Sequence, residues 1–344
     1  MKSFSTDHDA FRHGDQFFMQ SSALDFSASI NPESTERKKI TIDPENLSHY
    51  PLSPSLIESR ISSYLGLKQE NIMAFYGLTA LIHHLFRFFN SMRGLLLEPL
   101  FAEHMRAALL SNMNISRVPV NTVMEVPSLI RSFNPDVISL NSPVNPTGEH
   151  YGTEKIEKLL MESEKIGAYV FIDEAYADFV KKDKTLDYKF LLDRYSNFIC
   201  GRTLTKATGL PGVRIGYAIG PPEIIIKMKR MGIPWMIPQF YSEIIDSLLE
   251  IGDLKWIEDE RNYLETSFRD MGIIILGKPE ANFISFRITD KEIKEYFSIE
   301  LRNRGFLVRD ISNFYGFMQG DFRVTVRKHG DNEKLVHAIK EILG

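Results

Sequence analysis

A single cysteine, Cys200, leaves the chain without any possible internal disulfide, which fits a reducing compartment. Neither charge is in excess: 41 Lys+Arg against 45 Asp+Glu give a formal net charge of −4. With no polybasic block or stripe, nucleic acid and anionic membranes are disfavoured as partners. No apolar run approaches the ~20 residues that span a bilayer. Residues 1–18 lack the uninterrupted apolar core of a secretory signal, so a cytoplasmic protein is expected. The nine histidines follow no metal-ligand spacing, and a CxxC pair is impossible. GxSxG, GxxxxGK[ST] and GxGxxG are all missing, which argues against a hydrolase elbow, a phosphate-binding P-loop and a Rossmann dehydrogenase.

What is present is an ordinary globular balance: 344 residues, 43% hydrophobic and 25% charged, a length that suggests two domains or one large one with an appendage. Short apolar runs at 94–97, 116–120, 137–140, 169–172, 198–200 and 215–219 alternate with helix-like segments at 56–65, 79–90, 103–111, 153–165 and 186–195. Unalternating apolar strands between helices predict a mostly parallel sheet covered on both faces. After about residue 238 the texture changes. A long helical stretch at 241–271 leads into strands at 273–276, 283–286, 307–308 and 322–326, a helix at 291–304, and a closing helix with Asp331 as its N-cap. The expected division is a large domain at 50–240 and a smaller α+β domain built from 1–49 and 241–344.

Four features fall at the C-terminal ends of predicted strands, where open α/β sheets bind ligands. Thr203, Thr205 and Lys206 follow one strand, with Arg214 further on. A partly desolvated lysine is a nucleophilic amine, and the hydroxyls with the arginine suit a phosphate. A solvated lysine in a Thr/Gly-rich loop is the plainer account of that feature alone. Asp173 closes another strand, where a carboxylate can pair with a cationic ring nitrogen; Tyr176 then stands where a phenol can donate to a ring oxygen. Capping of a following helix explains Asp173 equally well. Asn145 lies in a stiff turn with two X-Pro pairs and a closing glycine, 141–148. That turn is also intelligible as structure only. Finally, residues 74–79 form a turn opening the helix at 79–90, and free N–H groups at a helix start make an anion site, by itself a very weak signal.

In this order, Asn145-Pro146-Thr147-Gly148, Asp173-Glu174-Ala175-Tyr176 and Thr205-Lys206 with Arg214 resemble the fold-type-I pyridoxal 5′-phosphate (PLP) enzymes of the aspartate aminotransferase superfamily. The likeness is strongest over 45–220. It implies an α/β, PLP-dependent transferase-like fold, with a mostly parallel sheet between helices in the large domain and a smaller α+β domain. It also implies roles. Lys206 would carry the cofactor and move protons at the substrate Cα. Asp173 would meet the pyridine nitrogen, with Asn145 and Tyr176 at the 3′-oxygen. Thr203, Thr205, Arg214 and the backbone at Leu78 and Thr79 would hold the phosphate. Phe101 looks like the aromatic that stacks on the ring, with His104 one turn beyond. Arg323 resembles the arginine for the substrate carboxylate. Tyr50 resembles the tyrosine that reaches the neighbouring subunit's cofactor, so a homodimer is implied.

Within that superfamily, residues 13–15, 24–32 and 308–314 look like threonine-phosphate decarboxylases of cobalamin synthesis, relatives of histidinol-phosphate aminotransferases. Arg309 and Arg327 join Arg323 as candidates for carboxylate or phosphate, with Arg327 expected on the same strand face as Arg323. Asn31 and His13 are candidates for the substrate phosphate. The expected substrate is L-threonine O-3-phosphate. An aminotransferase for histidinol phosphate or a related amino acid, and a non-catalytic binding protein on the same fold, are the alternatives. One departure stands out: the family's Gly-Asn-Gly-Ala-Thr-Glu segment reads Phe75-Tyr76-Gly77-Leu78-Thr79-Ala80 here, which predicts weakened cofactor affinity. A tyrosine is also usual where His104 stands.

Overall fold

The computed structural model describes residues 23–32, 40–51 and 53–344, so His13 lies outside the described residues. The chain divides into two compact units: one of 30–143 and 150–253, the other of 1–29, 144–149 and 254–344. Among the described residues, no helix is long and apolar enough to cross a membrane.

The larger unit is built on a seven-stranded sheet: β1 (Ile72–Phe75), β2 (Arg93–Glu98), β3 (Asn114–Pro119), β4 (Val137–Asn141), β5 (Tyr169–Asp173), β6 (Phe198–Thr203) and β7 (Gly216–Ile219), in the spatial order β1-β7-β6-β5-β4-β2-β3. Neighbours from β3 through β6 run parallel, and β7 is antiparallel to both β6 and β1. This is the mixed α/β architecture expected from the alternating runs. Strand β5 is buried almost throughout, as a strand covered on both faces must be. Fully burying each such Val, Ile or Phe contributes roughly 1.5–3 kcal/mol.

Helix α1 (Gly77–Phe88) buries Leu78, Leu81, Ile82, Leu85 and Phe86 at the spacing of one helical face. A Cβ on Gly201 would stand 2.6 Å from Leu78 Cδ1, so glycine at that point in β6 lets the helix lie directly on the sheet. Strand β1 escaped the sequence reading because its four residues run straight into the turn before α1. The helix Pro222–Arg230, with proline in its first turn, was missed as well.

The smaller unit contains a four-stranded antiparallel sheet of β8 (Ile274–Leu276), β9 (Phe283–Arg287), β10 (Arg309–Asp310) and β11 (Asp321–Thr325), ordered β10-β11-β9-β8. The two-residue strands Leu24–Asp25 and Phe306–Leu307 pair beside it in parallel. The single long helix expected at 241–271 is two helices, Tyr241–Leu249 and Lys255–Asp270, interrupted where Gly252 and Asp253 weaken helix propensity. The closing helix starts at His329, with Lys328 in the cap position and no side-chain cap bond. Asp331 therefore sits inside the first turn, where it accepts from Arg327 Nε at 3.0 Å.

Candidate active site

Asp173 ends β5 beside Asn141 of β4 and Gly201 of β6. Its Oδ1 accepts from Ala175 N at 3.0 Å, and its Oδ2 lies 2.9 Å from His104 Nε2. The short 3-10 helix that follows, Ala177–Phe179, has Tyr176 in its cap position, so the capping account of Asp173 fails. His104, on helix α2 (Ala102–Leu110), is 0% exposed, and its other ring nitrogen lies 2.8 Å from Ser139 Oγ. A buried carboxylate held from two sides this way is pre-organised to accept from a cationic ring nitrogen. Sequence reasoning missed Ser139. Its signal was a lone hydroxyl in the otherwise apolar β4 stretch 137–140.

Lys206 stands in the short helix Thr205–Thr208, just past β6. Its Nζ lies 5.5 Å from the centre of the Tyr176 ring. Thr203 Oγ1 is 2.9 Å from both Thr205 Oγ1 and Ile215 O, which draws the two hydroxyls together. Asn31 braces this segment: its N–H donates to Lys206 O and its Nδ2 to Ala207 O, both at 2.9 Å. It therefore supports the lysine's backbone, a contact its sequence position could not reveal.

The start of α1 is packed around two glycines. Gly77 has φ +78°, and a Cβ there would meet Arg214 Nη2 at 2.8 Å. A Cβ on Gly216 would meet Leu78 N at 2.6 Å. Glycine at these two positions lets β7 and the Arg214 side chain close on the first turn of α1, a helix start that no side chain caps. The bulky replacements in 75–80 point elsewhere: Phe75 is fully buried at the end of β1, and Leu78 packs on Gly201. Only Tyr76, 46% exposed, stands open. Nearby, burial pushes the Tyr241 phenol up to about 12, with Tyr76 adding to the shift. Phe101 precedes α2, its ring edge-on to His104 at 6.4 Å. Tyr50, 72% exposed, stacks on Trp235 with centroids 4.8 Å apart.

In the smaller unit Arg323, on β11, is buried; Nη1 donates to Asn145 Oδ1 at 2.6 Å and Nη2 to Ser27 O at 3.0 Å. Arg309, on β10, is its direct cross-strand partner, and its Nη2 lies 3.2 Å from Asn313 Oδ1. Arg327 falls beyond the end of β11, not on the strand face expected for it. It is engaged by Asp331 and by Asp25 O at 3.1 Å.

The donor set of the larger unit fits PLP. A braced carboxylate matches the ring nitrogen and a lysine matches the aldehyde carbon. The uncapped start of α1 beside Arg214, and the paired hydroxyls of Thr203 and Thr205, suit a phosphate dianion.

The chain matches the aminotransferase class I and II family over residues 34–342. A protein named "Putative threonine-phosphate decarboxylase", from Caldanaerobacter subterraneus subsp. tengcongensis, is 31% identical over 315 residues, covering 86% of this chain and 83% of the relative. The histidinol-phosphate aminotransferase of Chlorobaculum tepidum is 29% identical over 293 residues, covering 82% and 81%. The crystal structure of the histidinol-phosphate aminotransferase from Clostridium acetobutylicum has the same fold, with a TM-score of 0.80 at 24% identity over 93% of this chain and 99% of that one. The chain belongs to the aminotransferase class I and II family and is a PLP-dependent enzyme.

Proposed function

We propose that this enzyme decarboxylates L-threonine O-3-phosphate to (R)-1-amino-2-propanol phosphate, a step of cobalamin biosynthesis. The observation that carries the reading is the cross-strand pairing of Arg309 with Arg323. Like charges placed directly opposite on a sheet repel, and anions between them offset that cost. A substrate bearing both a carboxylate and a phosphate answers two guanidinium groups; histidinol phosphate has no carboxylate. The relative that is 31% identical supports the same choice by its name.

In this reading Lys206 holds the cofactor, Asp173 its ring nitrogen, and Tyr176 with Asn145 its 3′-oxygen. Phe101 covers the ring, and Thr203, Thr205, Arg214 and the Leu78–Thr79 amides hold its phosphate. Tyr50 reaches the cofactor of a second copy, making the enzyme a homodimer. When bound, the protonated ring draws electrons from a bond at the substrate Cα. His104 keeps Asp173 aimed at the ring nitrogen. Arg323 and Arg309 hold the substrate so that its carboxylate leaves as CO₂. Lys206 would return a proton to Cα.

The test is to incubate PLP-loaded protein with L-threonine O-3-phosphate and follow CO₂ and keto acid separately. CO₂ without keto acid is expected. Keto acid formed with an added amino acceptor, and no CO₂, would make the enzyme an aminotransferase instead.

A further inference from the structure

Strand β6 presents two unlike faces. Gly201 and Thr203 lie toward α1 and the candidate site; Cys200 and Arg202, alternating with them, lie on the other face. That second face carries a buried polar network which none of the roles above uses. Arg202, only 7% exposed, donates through Nη2 to Asp178 Oδ1 and through Nη1 to Tyr188 Oη at 3.1 Å. Tyr188 Oη donates in turn to Glu174 Oε2, which also accepts from Cys200 Sγ at 3.0 Å. Burial works against the Arg202 charge, but Asp178 foremost, with the Tyr188 and Tyr217 oxygens and Glu174, outweighs it and holds the guanidinium protonated.

Such a network is a poor way to gain stability, since well-packed apolar side chains of similar volume often do as well. What it supplies is direction. Arg202 is four residues before Lys206. Asp178 and Glu174, which it grips directly and through Tyr188, flank Tyr176 on either side. The backbone between them is a tight turn, with Ala177 N donating to Glu174 O and Phe179 N to Tyr176 O, both at 3.1 Å. The phenol thus rides on a turn fastened at both ends to the strand that leads into Lys206.

We propose that Arg202 is a positioning residue: through Asp178 it fixes the Tyr176 phenol against the Lys206 amine and the cofactor this lysine carries. The inference rests on the reading of Lys206 as the cofactor lysine. A phenol donating to the ring oxygen beside the lysine–cofactor bond favours the ionised oxygen, so its placement sets the pH at which the visible absorption of that bond changes.

The experiment titrates this absorption in the PLP-loaded protein and its variants. Arg202→Lys keeps a charge but loses the planar fork, and Asp178→Asn keeps an oxygen but loses the charge. Each is expected to move the midpoint upward by ~0.5–1 unit, as for one weakened hydrogen bond to a charged group. Each shift should vanish in a Tyr176→Phe background, because the route runs through that phenol. Cys200→Ala, at the far end of the network, should titrate like the parent. Should Arg202→Lys fail to fold, Asp178→Asn carries the test alone. Parent-like midpoints in both variants would overturn the proposal, as would shifts of equal size with and without the Tyr176 hydroxyl. A parent protein whose visible band survives Lys206→Ala would instead overturn the underlying reading of Lys206, a different failure seen before any network variant is made.

Discussion

The region around Lys206 and the region around Arg323 solve the same problem, holding charge in a fixed place, by different means. In the larger unit the groups come from the ends of consecutive parallel strands, each followed by a short turn. Asp173, Thr203 and Lys206 are therefore fixed by local sequence, and the required residue types appear as short motifs in chain order. In the smaller unit Arg309 and Arg323 meet only through the antiparallel register of β10 and β11, 14 positions apart in the chain. No local motif announces that pairing. Chemistry attached to strand ends is legible in a sequence, whereas chemistry built across a strand pair needs the register.

The sharpest way to break this comparison is Lys206→Ala. On the proposed reading, in which this amine anchors the cofactor and moves the Cα proton, its removal should lower kcat by about 10⁴-fold, the upper end for a general acid–base group. The fold should persist, as judged by an unchanged thermal transition of the cofactor-free protein. Retained turnover would remove the larger unit from the chemistry.

Arg323→Ala tests the other region. It takes away a buried guanidinium held by Asn145 and the Ser27 carbonyl. Truncating one side of a buried charged contact costs about 2–5 kcal/mol, so KM for the proposed substrate, L-threonine O-3-phosphate, should rise at least about 30-fold. A larger loss in kcat than in 1/KM would mean that Arg323 acts on the carboxylate's orientation more than on binding.

A smaller effect separates bracing from contact. His104→Phe fills the buried space but withdraws one partner from Asp173 and one from Ser139. An unsatisfied buried group costs roughly 1–3 kcal/mol, which predicts a loss of about tenfold in kcat/KM, recovered in part by His104→Gln. No loss at all would show that Ala175 N suffices to aim Asp173.

Much of the fold was readable. The runs at 137–140, 169–172 and 198–200 became β4, β5 and β6, because strands covered on both faces carry unbroken apolar sequence. The misreadings have local causes. Gly252 broke a helix whose apolar period continued across it, and the last helix starts at His329, ahead of Asp331, whose carboxylate accepts from Arg327 instead of capping. At the site, Lys206, Asp173 and Tyr176 stood out from strand-end position and residue type. The long-range contacts, Ser139 to His104 and Asn31 to the Lys206 backbone, join residues 35 and 175 positions apart; the lone hydroxyl in an apolar strand marks Ser139, but nothing local names its partner.

The smallest effect concerns stability alone and serves as a baseline for both regions. Burial holds the His84 imidazole below its ordinary 6.5, against a weaker upward pull from its hydrogen bond to the Met228 carbonyl. The native state therefore binds fewer protons than the unfolded chain once the pH drops past about 6.5, and stability falls from there downward. Denaturant midpoints measured from pH 7.5 to 5.5 should show this slope, and His84→Gln should flatten it. An unchanged slope would assign the dependence to other groups.

The central claim, that Lys206 carries PLP, is tested most directly by reducing the PLP-loaded protein with borohydride and mapping the modified peptide by mass spectrometry. The account predicts one stably attached pyridoxyl group per chain, on Lys206. Attachment to another lysine, or none under conditions that give a visible absorption band, would contradict it.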